Sequence, residues 1–293
     1  MNSDSPANDE LEYGPDQDIP FRSMKHGNVT LQGFSRAAMQ TYWRIPEYRI
    51  GFDLGAQPWC FMGTPVWCLS HTHLDHAAAL PAYLARRRMM KMEPPLVFVP
   101  ESSLELIQQL LRTWSRLDRG GLPCELRGVV PGDEIPLSRE LVLSVHETAH
   151  TIPSVGYILW DRRNKLLEKY IDMAPHEIRD LRLSGIPVTR EVRKPLVAYL
   201  GDSRPEGLDR NPAMYEAELL IMEMTFVSHH HRVELIHRRG HIHLDDLVER
   251  ADRFRNERIV ASHFTLRSTS KEIERTVRRR LPNMLDDRLT LWL

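Results

Sequence analysis

The sequence predicts an α/β fold, and two observations lead to that prediction. Strand-like apolar runs alternate with helix-like stretches along most of the chain. Several of these runs end close to a residue that can bind a metal ion, namely His71, His150, Asp202 and His263. Because open α/β sheets bind ligands at the carboxyl ends of their strands, we expect these side chains to share one edge.

The elements follow one another in a regular order. Strand-like runs lie at residues 29–34, 38–45, 48–52, 65–69, 96–99, 141–145, 196–200, 218–222, 258–262 and 288–292. Helix-like stretches lie at residues 75–88, 102–117, 244–255 and 271–280. In the second of these helices, the apolar residues Leu104, Ile107, Leu110, Leu111 and Trp114 share one face.

Length and composition are those of an ordinary globular protein. The chain has 293 residues, of which 42% are hydrophobic and 27% charged, and its formal net charge is −1. So small a net charge does not recruit nucleic acid, and an RNA partner would need a local basic patch. No apolar run approaches the roughly 18 residues of a membrane span. The three cysteines form no CxxC pair, which favours reduced thiols in the cytoplasm.

We expect a short tail followed by one domain. Residues 1–20 contain six acidic residues and no lysine or arginine, which is typical of a disordered, solvated tail. No linker divides residues 21–293, so these residues are predicted to form a single domain. Within it, residues 161–194 mix arginine, lysine, proline and glycine with few apolar clusters, which indicates an inserted, protruding arm.

Residues 71–76 concentrate ligand-type side chains in the sequence His-Thr-His-Leu-Asp-His. Neutral imidazole suits zinc, and carboxylate oxygen is also a common ligand. His71 and His73 point the same way on an extended segment, whereas Asp75 and His76 begin the next turn and can face a second ion. Four ligands cannot complete two tetrahedral sites, so the others must come from elsewhere. The alternative is a polar loop whose histidines bind nothing.

The strand-end residues complete the set. We predict that His71, His73 and His150 hold one ion, and that Asp75, His76 and His263 hold the other. Asp202 can bridge the two ions, which would lie roughly 3.5–4 Å apart with a hydroxide between them. Asp53, at the end of a strand-like run, is either a hydrogen-bond partner of a ligating histidine or a turn residue.

In chain order, these pieces resemble the metallo-β-lactamase fold and, within it, the short-form tRNase Z family of tRNA 3′-end endonucleases. The matching motifs are HTHLDH at 71–76, GDSRP at 201–205, Glu-Met-Thr-Phe at 223–226, GHIHL at 240–244 and His-Phe-Thr-Leu-Arg at 263–267. The first motif marks only the superfamily, whereas GDSRP, Glu-Met-Thr-Phe and the final His-Phe-x-x-Arg together are far more specific. The forms of HTHLDH and GHIHL are most similar to plant-type short enzymes.

The resemblance implies an αββα four-layer sandwich with two Zn²⁺ per chain at one edge, although Mn²⁺ or Fe²⁺ is possible. It implies a homodimer that hydrolyses the phosphodiester 3′ of the discriminator base in precursor tRNA with a metal-activated hydroxide. Asp75 would orient and help deprotonate that hydroxide. Glu223 with His241 would relay a proton to the leaving 3′ oxygen, since a leaving alkoxide needs an acid.

The sequence also departs from the family pattern. Met222 stands where the family usually has histidine, Ser203 where threonine is more usual, and His241-Ile-His243 replaces His-Ser-Thr. The arm at 161–194 matches the family's tRNA-gripping arm in place, but only Gly185-Ile-Pro187 hints at its glycine–proline signature.

The arm bears on the substrate. Its basic residues, which suit phosphate contacts but are equally typical of a solvated surface, are Arg162, Arg163, Lys165, Lys169, Arg179, Arg182, Arg190, Arg193 and Lys194. Two other functions therefore remain open: a binuclear metallohydrolase acting on a small phosphodiester or lactone, and a non-catalytic RNA-binding or scaffold protein. His229–His231 is either an extra metal or RNA contact or a surface loop.

Overall fold

The computed structural model describes residues 19–228 and 232–293. Two seven-stranded β-sheets lie face to face, and helices pack on the outer side of each sheet. This is the αββα arrangement that the resemblance implied. The acidic tail predicted for residues 1–20 and the His229–His231 segment lie outside the described residues, except for Ile19 and Pro20.

The first sheet takes its strands from the first half of the chain, in sequence order. They are β1 Arg22–His26, β2 Val29–Arg36, β3 Gln40–Ile45, β4 Ile50–Leu54, β5 Val66–Cys68, β6 Leu96–Pro100 and β7 Glu125–Val129. Pairing is antiparallel from β1 to β4 and parallel from β4 to β7. β2 alternates buried with half-buried residues, whereas β4 is buried throughout because both of its faces are covered.

The second sheet repeats this scheme with the second half of the chain. Its strands are β8 Glu134–Pro136, β9 Leu141–Glu147, β10 Val155–Leu166, β11 Thr189–Tyr199, β12 Leu219–Glu223, β13 Arg258–Ser262 and β14 Leu289–Leu291. Pairing is antiparallel from β8 to β11 and parallel from β11 to β14. The residues that follow β5, β9, β11 and β13 meet at one edge of the sandwich.

Nine α-helices connect the strands within the described residues. They are α1 Leu74–Ala77, α2 Leu80–Met89, α3 Glu101–Leu117, α4 Pro175–Leu183, α5 Glu206–Asp209, α6 Pro212–Glu216, α7 Val233–Arg238, α8 Leu244–Glu249 and α9 Ser270–Arg280. Among the described residues, no helix combines the length and apolar character that crossing a membrane requires.

Three apolar clusters hold the layers together. Between the sheets, Phe52 and Phe98 of the first sheet pack with Tyr157, Val197 and Ile221 of the second. A second cluster lies between the first sheet and helices α2 and α3, and a third lies between the second sheet and helices of the other outer layer. The burial of this apolar surface is the main stabilising term of the fold.

The structure corrects three helix predictions. The helix predicted over 244–255 is shorter, because α8 ends at Glu249. The helix predicted over 75–88 is two helices, because α1 ends at Ala77 and α2 begins at Leu80. The predicted common face of α3 is only partly buried: Ile107 packs in the core, whereas Leu110 is 49% and Trp114 is 46% exposed. Helix α3 therefore presents apolar surface to solvent.

The segment 161–194 forms an extension of two strands. Asp161 is the last residue of β10 that pairs with β9, and beyond it β10 pairs with β11 alone, as far as Leu166 opposite Thr189. Helix α4 lies between the two strands in sequence. The sequence suggested a protrusion here but did not predict that paired strands would carry it.

Candidate active site

Strand ends place the candidate residues along one edge of the two sheets. β5 leads to His71, β9 to His150, β11 to Asp202 and β13 to His263. β5, β11 and β13 have parallel neighbours, and parallel strands share the direction in which their carboxyl ends point. The structure thus brings residues from positions 71 to 263 into one cluster.

Three histidines converge at the first of two adjoining sites. His73 Nδ1 lies 3.1 Å from His71 Nε2 and 3.1 Å from His150 Nε2. One ligand atom from each of these histidines, together with one from Asp202, lies within 4.8 Å of the others. Three imidazoles and one carboxylate are a donor set that zinc accepts.

Asp75, His76 and His263 converge at the second site. His76 Nε2 lies 3.3 Å from His263 Nε2, and Asp75 Oδ2 lies 3.5 Å from His263 Nε2. Asp202 Oδ2 is 3.4 Å from each of these two histidine nitrogens and 3.9 Å from His71 Nε2. One carboxylate oxygen of Asp202 therefore faces both groups, which is the position of a bridging ligand.

Four of the histidines bind an oxygen through the ring nitrogen that faces away from the cluster. His71 Nδ1 lies 2.9 Å from Ser70 Oγ, His76 Nδ1 2.6 Å from Asp53 Oδ2, His150 Nδ1 2.9 Å from Gly240 O, and His263 Nδ1 2.9 Å from Thr225 Oγ1. The Gly240 carbonyl and the Asp53 carboxylate only accept, so His150 and His76 donate from Nδ1. Burial lowers the pKa of His150, so its neutral ring directs the Nε2 lone pair into the cluster.

This arrangement fits divalent cations. Burial lowers the pKa of His71, His73 and His150, which keeps these imidazoles neutral. The ring nitrogens of these three histidines lie about 3 Å apart, and a cation between them would accept a lone pair from each ring. The outer hydrogen bonds are the contacts that fix the tautomer of a metal-ligating histidine.

The carboxylates carry negative charge in this cluster. Burial opposes the ionisation of Asp202, but the imidazoles of His263 and His76 outweigh it and hold the pKa of Asp202 well below its usual value. Burial raises the pKa of Asp75, but the hydrogen bond with His263 is the main effect that outweighs burial, and the pKa falls to about 2. Both side chains are thus acceptors at neutral pH.

Asp53 is a hydrogen-bond partner of a candidate ligand, His76, which decides between its two sequence interpretations. Besides His76, its carboxylate accepts from Ser70 N at 2.6 Å, from Ser70 Oγ at 2.8 Å and from the Tyr199 hydroxyl. Its backbone φ of 56° lies in the left-handed region, as does that of His263 at 61°. Non-glycine residues in this region occur most often where surrounding contacts impose the conformation, as at functional sites.

Gly240 is required by the packing against His150. Its φ is +78°, and a Cβ at this position would lie 2.4 Å from His150 Nδ1. Only glycine can bring its carbonyl to the ring without this clash. The glycine of the GHIHL motif thereby orients a candidate metal ligand.

Glu223 and His241 form a pair beside the second site. His241 Nδ1 lies 3.0 and 3.1 Å from the two oxygens of Glu223, which also accepts from Ser203 N at 2.8 Å. Burial of His241 favours its neutral form, but the Glu223 carboxylate outweighs burial and raises the pKa of His241 to about 9. The imidazole therefore carries a second proton at neutral pH.

The structure distinguishes His241 from its neighbour His243. His243 begins helix α8, where its ring accepts from Asp245 N at 3.1 Å, and it is fully buried away from the cluster. His241 is the histidine whose ring reaches Glu223.

Sequence reasoning assigned no role to several polar residues that complete the site. Thr225 Oγ1 contacts both His263 and Glu223, and the Ala38 amide donates to Asp75 Oδ2 at 2.8 Å. Tyr199 lies in a strand that looked like ordinary core. Only for Thr225 was there a signal, since it belongs to a recognised motif.

A cleft of about 400 Å³ opens over the second site. His73, Asp75, Asp202, His241 and His263 line it, and its remaining walls include Ala38, Phe226, Arg239 and Arg267. A ligand that enters this cleft would meet candidate metal ligands and His241 together.

Comparison with known proteins finds a relative that matches most of the chain. No family model matches the chain. The chain is 33% identical over 270 residues to tRNase Z TRZ1 of Arabidopsis thaliana, covering 92% of this chain and 96% of that protein.

Solved structures share the fold at low sequence identity. The metallo-β-lactamase fold protein YhfI from Bacillus subtilis matches with a TM-score of 0.60 and 12% identity, covering 88% of this chain and 91% of that one. Human tRNase Z, short form, matches with a TM-score of 0.53 and 18% identity, covering 82% of this chain and 87% of that one. These matches confirm the predicted metallo-β-lactamase fold.

Proposed function

Because this chain belongs to the tRNase Z family, also named ribonuclease Z, we propose that it hydrolyses precursor tRNA just 3′ of the discriminator base. The observation that carries the proposal is the Glu223–His241 pair set beside two groups of metal-ligand side chains. A phosphodiesterase that releases a 3′ hydroxyl needs both an activated water and an acid for the leaving oxygen.

The proposed cofactor is a pair of Zn²⁺ ions, with Mn²⁺ or Fe²⁺ as possible replacements. The chain would ligate one ion through His71, His73 and His150, the other through Asp75, His76 and His263, and both through Asp202. When bound, such ions lower the pKa of a water molecule and polarise the phosphodiester.

Asp75 is proposed to orient the attacking water. Its Oδ2 is held by the Ala38 amide, so the carboxylate has a fixed direction. A carboxylate with a pKa of about 2 is a weak base, and its main contribution is therefore a hydrogen bond that aims the water at phosphorus.

His241 is proposed to protonate the leaving 3′ oxygen. Its Nδ1–H donates to Glu223, which leaves the Nε2–H as the proton to be given. The Glu223 carboxylate, which raises the pKa of His241 to about 9, favours the presence of this proton at neutral pH. Glu223 acts by keeping the imidazole protonated and correctly turned.

The arm 161–194 supports a large substrate. β10 starts near His150 and runs away from the cluster, so by length alone its far end lies roughly 35 Å from the metal edge. A substrate that touches both must be an extended macromolecule, as tRNA is.

Some of the arm's basic side chains are already paired with acids. Arg163 contacts Asp161 and Arg193 contacts Glu134. Lys165 and Arg182 contact no acidic side chain within the described part of the chain, and these are the cations we propose for phosphate contacts.

The deciding experiment is cleavage of a precursor tRNA with a 3′ trailer by the zinc-loaded protein, with both product ends mapped. We expect a single cut after the discriminator base. Deleting the arm should abolish this cut and spare the turnover of bis(p-nitrophenyl) phosphate.

Other results would favour the other functions. Efficient turnover of the small diester with no cut in precursor tRNA would favour a small-molecule hydrolase. Less than one zinc per purified chain would favour a non-catalytic RNA-binding or scaffold protein.

We also propose that the chain forms a homodimer through the exposed apolar face of α3. Leu106, Leu110, Trp114 and Leu117 are each between 46% and 69% exposed, and Trp114 lines an apolar depression with residues of α2. Contiguous apolar surface of this kind is typical of an interaction site. A second copy would cover it by presenting the same face.

The proposed location remains the cytoplasm. Within the described part of the chain, Cys60, Cys68 and Cys124 form no disulfide, which suits a reducing compartment. Imaging of a fluorescent fusion of the full chain tests this proposal.

A further inference from the structure

A groove of about 630 Å³ lies on the other side of His150 from the catalytic cleft. Residues 147–155, the first turn of α3, residues 129–131 and two arginines, Arg204 and Arg210, line it. We call it the loop groove. Its volume is within the range of pockets that bind ligands of nucleotide size.

The loop groove and the catalytic cleft share a dividing wall. His150 lines the groove, His73 lines the cleft, and their ligand nitrogens are 3.1 Å apart. A chain that leaves the metal centre past this pair of rings would therefore enter the loop groove.

The walls of the loop groove suit a nucleotide. Val130, Pro131, Ile152 and Pro153 supply apolar surface for a sugar or base. The amino end of α3 has no side-chain cap, and its partial positive charge is offset by the Glu101 carboxylate in its first turn. The groove lining thus contains two carboxylates, Glu101 and Glu147, besides the two arginines.

Arg204 is the group available for a phosphate. Its backbone amide donates to Ala149 O at 2.8 Å, which fixes it to the groove wall. Among the described residues, its guanidinium makes no hydrogen bond. Its ion pair with Glu206 is long, with 3.8 Å between Arg204 Nε and Glu206 Oε2. Arg210, in contrast, already binds Glu147 at 2.6 Å. Arginine is well suited to bidentate phosphate recognition.

The chemistry of the proposed reaction decides which part of the RNA the groove receives. Hydrolysis breaks the bond between phosphorus and the 3′ oxygen, so that oxygen leaves with the tRNA and the phosphate stays on the trailer. His241, the proposed donor to that oxygen, lines the cleft and not the loop groove. The tRNA body thus belongs to the cleft, and the groove remains for the other product.

We propose that the loop groove binds the first nucleotides of the 3′ trailer, and that Arg204 contacts the phosphate after the first of them. This inference rests on the proposed function. It makes Arg204 a residue that recognises substrate length downstream of the cut.

The test compares two precursor tRNAs, one with a trailer of a single nucleotide and one with a trailer of several. Arg204→Ala should lower kcat/KM for the longer trailer roughly tenfold to a hundredfold, as expected for a charge-assisted contact. It should leave the single-nucleotide trailer unchanged, because that trailer lacks the second phosphate. The control Arg139→Ala removes an exposed arginine from the turn before β9, and should change neither.

A binding measurement separates this proposal from the proposed function. A short 5′-phosphorylated oligoribonucleotide should bind the zinc-loaded protein, more weakly in Arg204→Ala and equally well in Arg139→Ala. Equal losses on both trailers, no loss on either, or unaltered oligonucleotide binding would overturn the groove assignment. Failure of the wild-type protein to cut any precursor would overturn the proposed function, and oligonucleotide binding would still decide on the groove. Unchanged melting temperatures would show that both variants fold.

Discussion

Replacing Thr225 with valine should weaken the binding of one ion of the proposed metal pair and leave the binding of the other nearly unaffected. Valine has the shape of threonine but lacks the hydroxyl, which accepts from His263 Nδ1 at 2.9 Å and donates to a Glu223 oxygen. Thr225 is buried, so water cannot replace these contacts. His263 clusters with Asp75 and His76, the ligands proposed for one ion, whereas the ligands proposed for the other are His71, His73 and His150.

The size of the effect follows from the hydrogen bonds that valine cannot make. A buried N–H left without an acceptor costs about 1–3 kcal/mol. Loss of the outer hydrogen bond of a ligating histidine typically reduces metal affinity about 10–100-fold, or roughly 1.4–2.7 kcal/mol. We therefore expect one of the two zinc equivalents to bind at least tenfold more weakly. Cleavage should also slow, since Thr225 holds Glu223 as well.

Zinc titration against a competing chelator measures both equivalents without any substrate. Thr225→Ser keeps the hydroxyl and should retain nearly wild-type binding of both ions. Equal weakening of the two equivalents, or a serine variant as impaired as the valine variant, would refute the reasoning. In that case Thr225 would be a general packing residue rather than one that positions His263.

Four further predictions concern catalysis, stability and assembly. Asp75→Ala should keep the fold, as measured by circular dichroism, and lose precursor cleavage; a wild-type rate would disprove the role of Asp75. His241→Ala should slow cleavage about 10²–10⁴-fold. A substrate whose leaving 3′ atom is sulfur needs no acid. This substrate should restore the cleavage rate of His241→Ala and of no other variant described here. The hydrogen bond with Arg250 lowers the pKa of Asp209, so the folded pKa lies below the unfolded one. The stabilisation is present above the unfolded pKa and is lost as pH falls through the folded pKa. Asp209→Asn should therefore destabilise the protein at pH 7 and not near pH 2, as urea unfolding would show. The loss should be less than about 1 kcal/mol because the site is partly exposed. A loss of stability that does not depend on pH would contradict this. Light scattering should find the proposed dimer for the wild-type protein and a monomer for Leu110→Lys, at an unchanged melting temperature. A dimeric variant would place the interface elsewhere, and a monomeric wild-type protein would disprove the dimer.

Local patterns in the sequence predicted an α/β fold, whereas the αββα sandwich was implied by the family resemblance. The division of the candidate ligands between two ions stays a prediction. Apolar runs that end before His71, Asp202 or His263 fix where strands stop, and parallel pairing then places those ends at one edge. The close spacing of residues 71–76 required no tertiary information, because a single strand end and one helical turn hold them together.

Helix α3 shows where local pattern stops being informative. Ile107, Leu110 and Trp114 follow the helical period equally well, yet only Ile107 is buried. The period identifies an apolar stripe, but which part of the stripe is covered depends on how the helix lies on the sheet.

The sequence by itself determined the residue types that can bind a metal and the strands that deliver them. Only the tertiary structure decided which oxygen supports each imidazole, as Ser70 does for His71, Gly240 for His150 and Thr225 for His263. The physical reason is separation along the chain: the partners of His150 and His263 are 90 and 38 residues away, and such contacts depend on packing of the whole sandwich. The path of the arm, away from the metal edge, follows in the same way from the direction of β10 within its sheet.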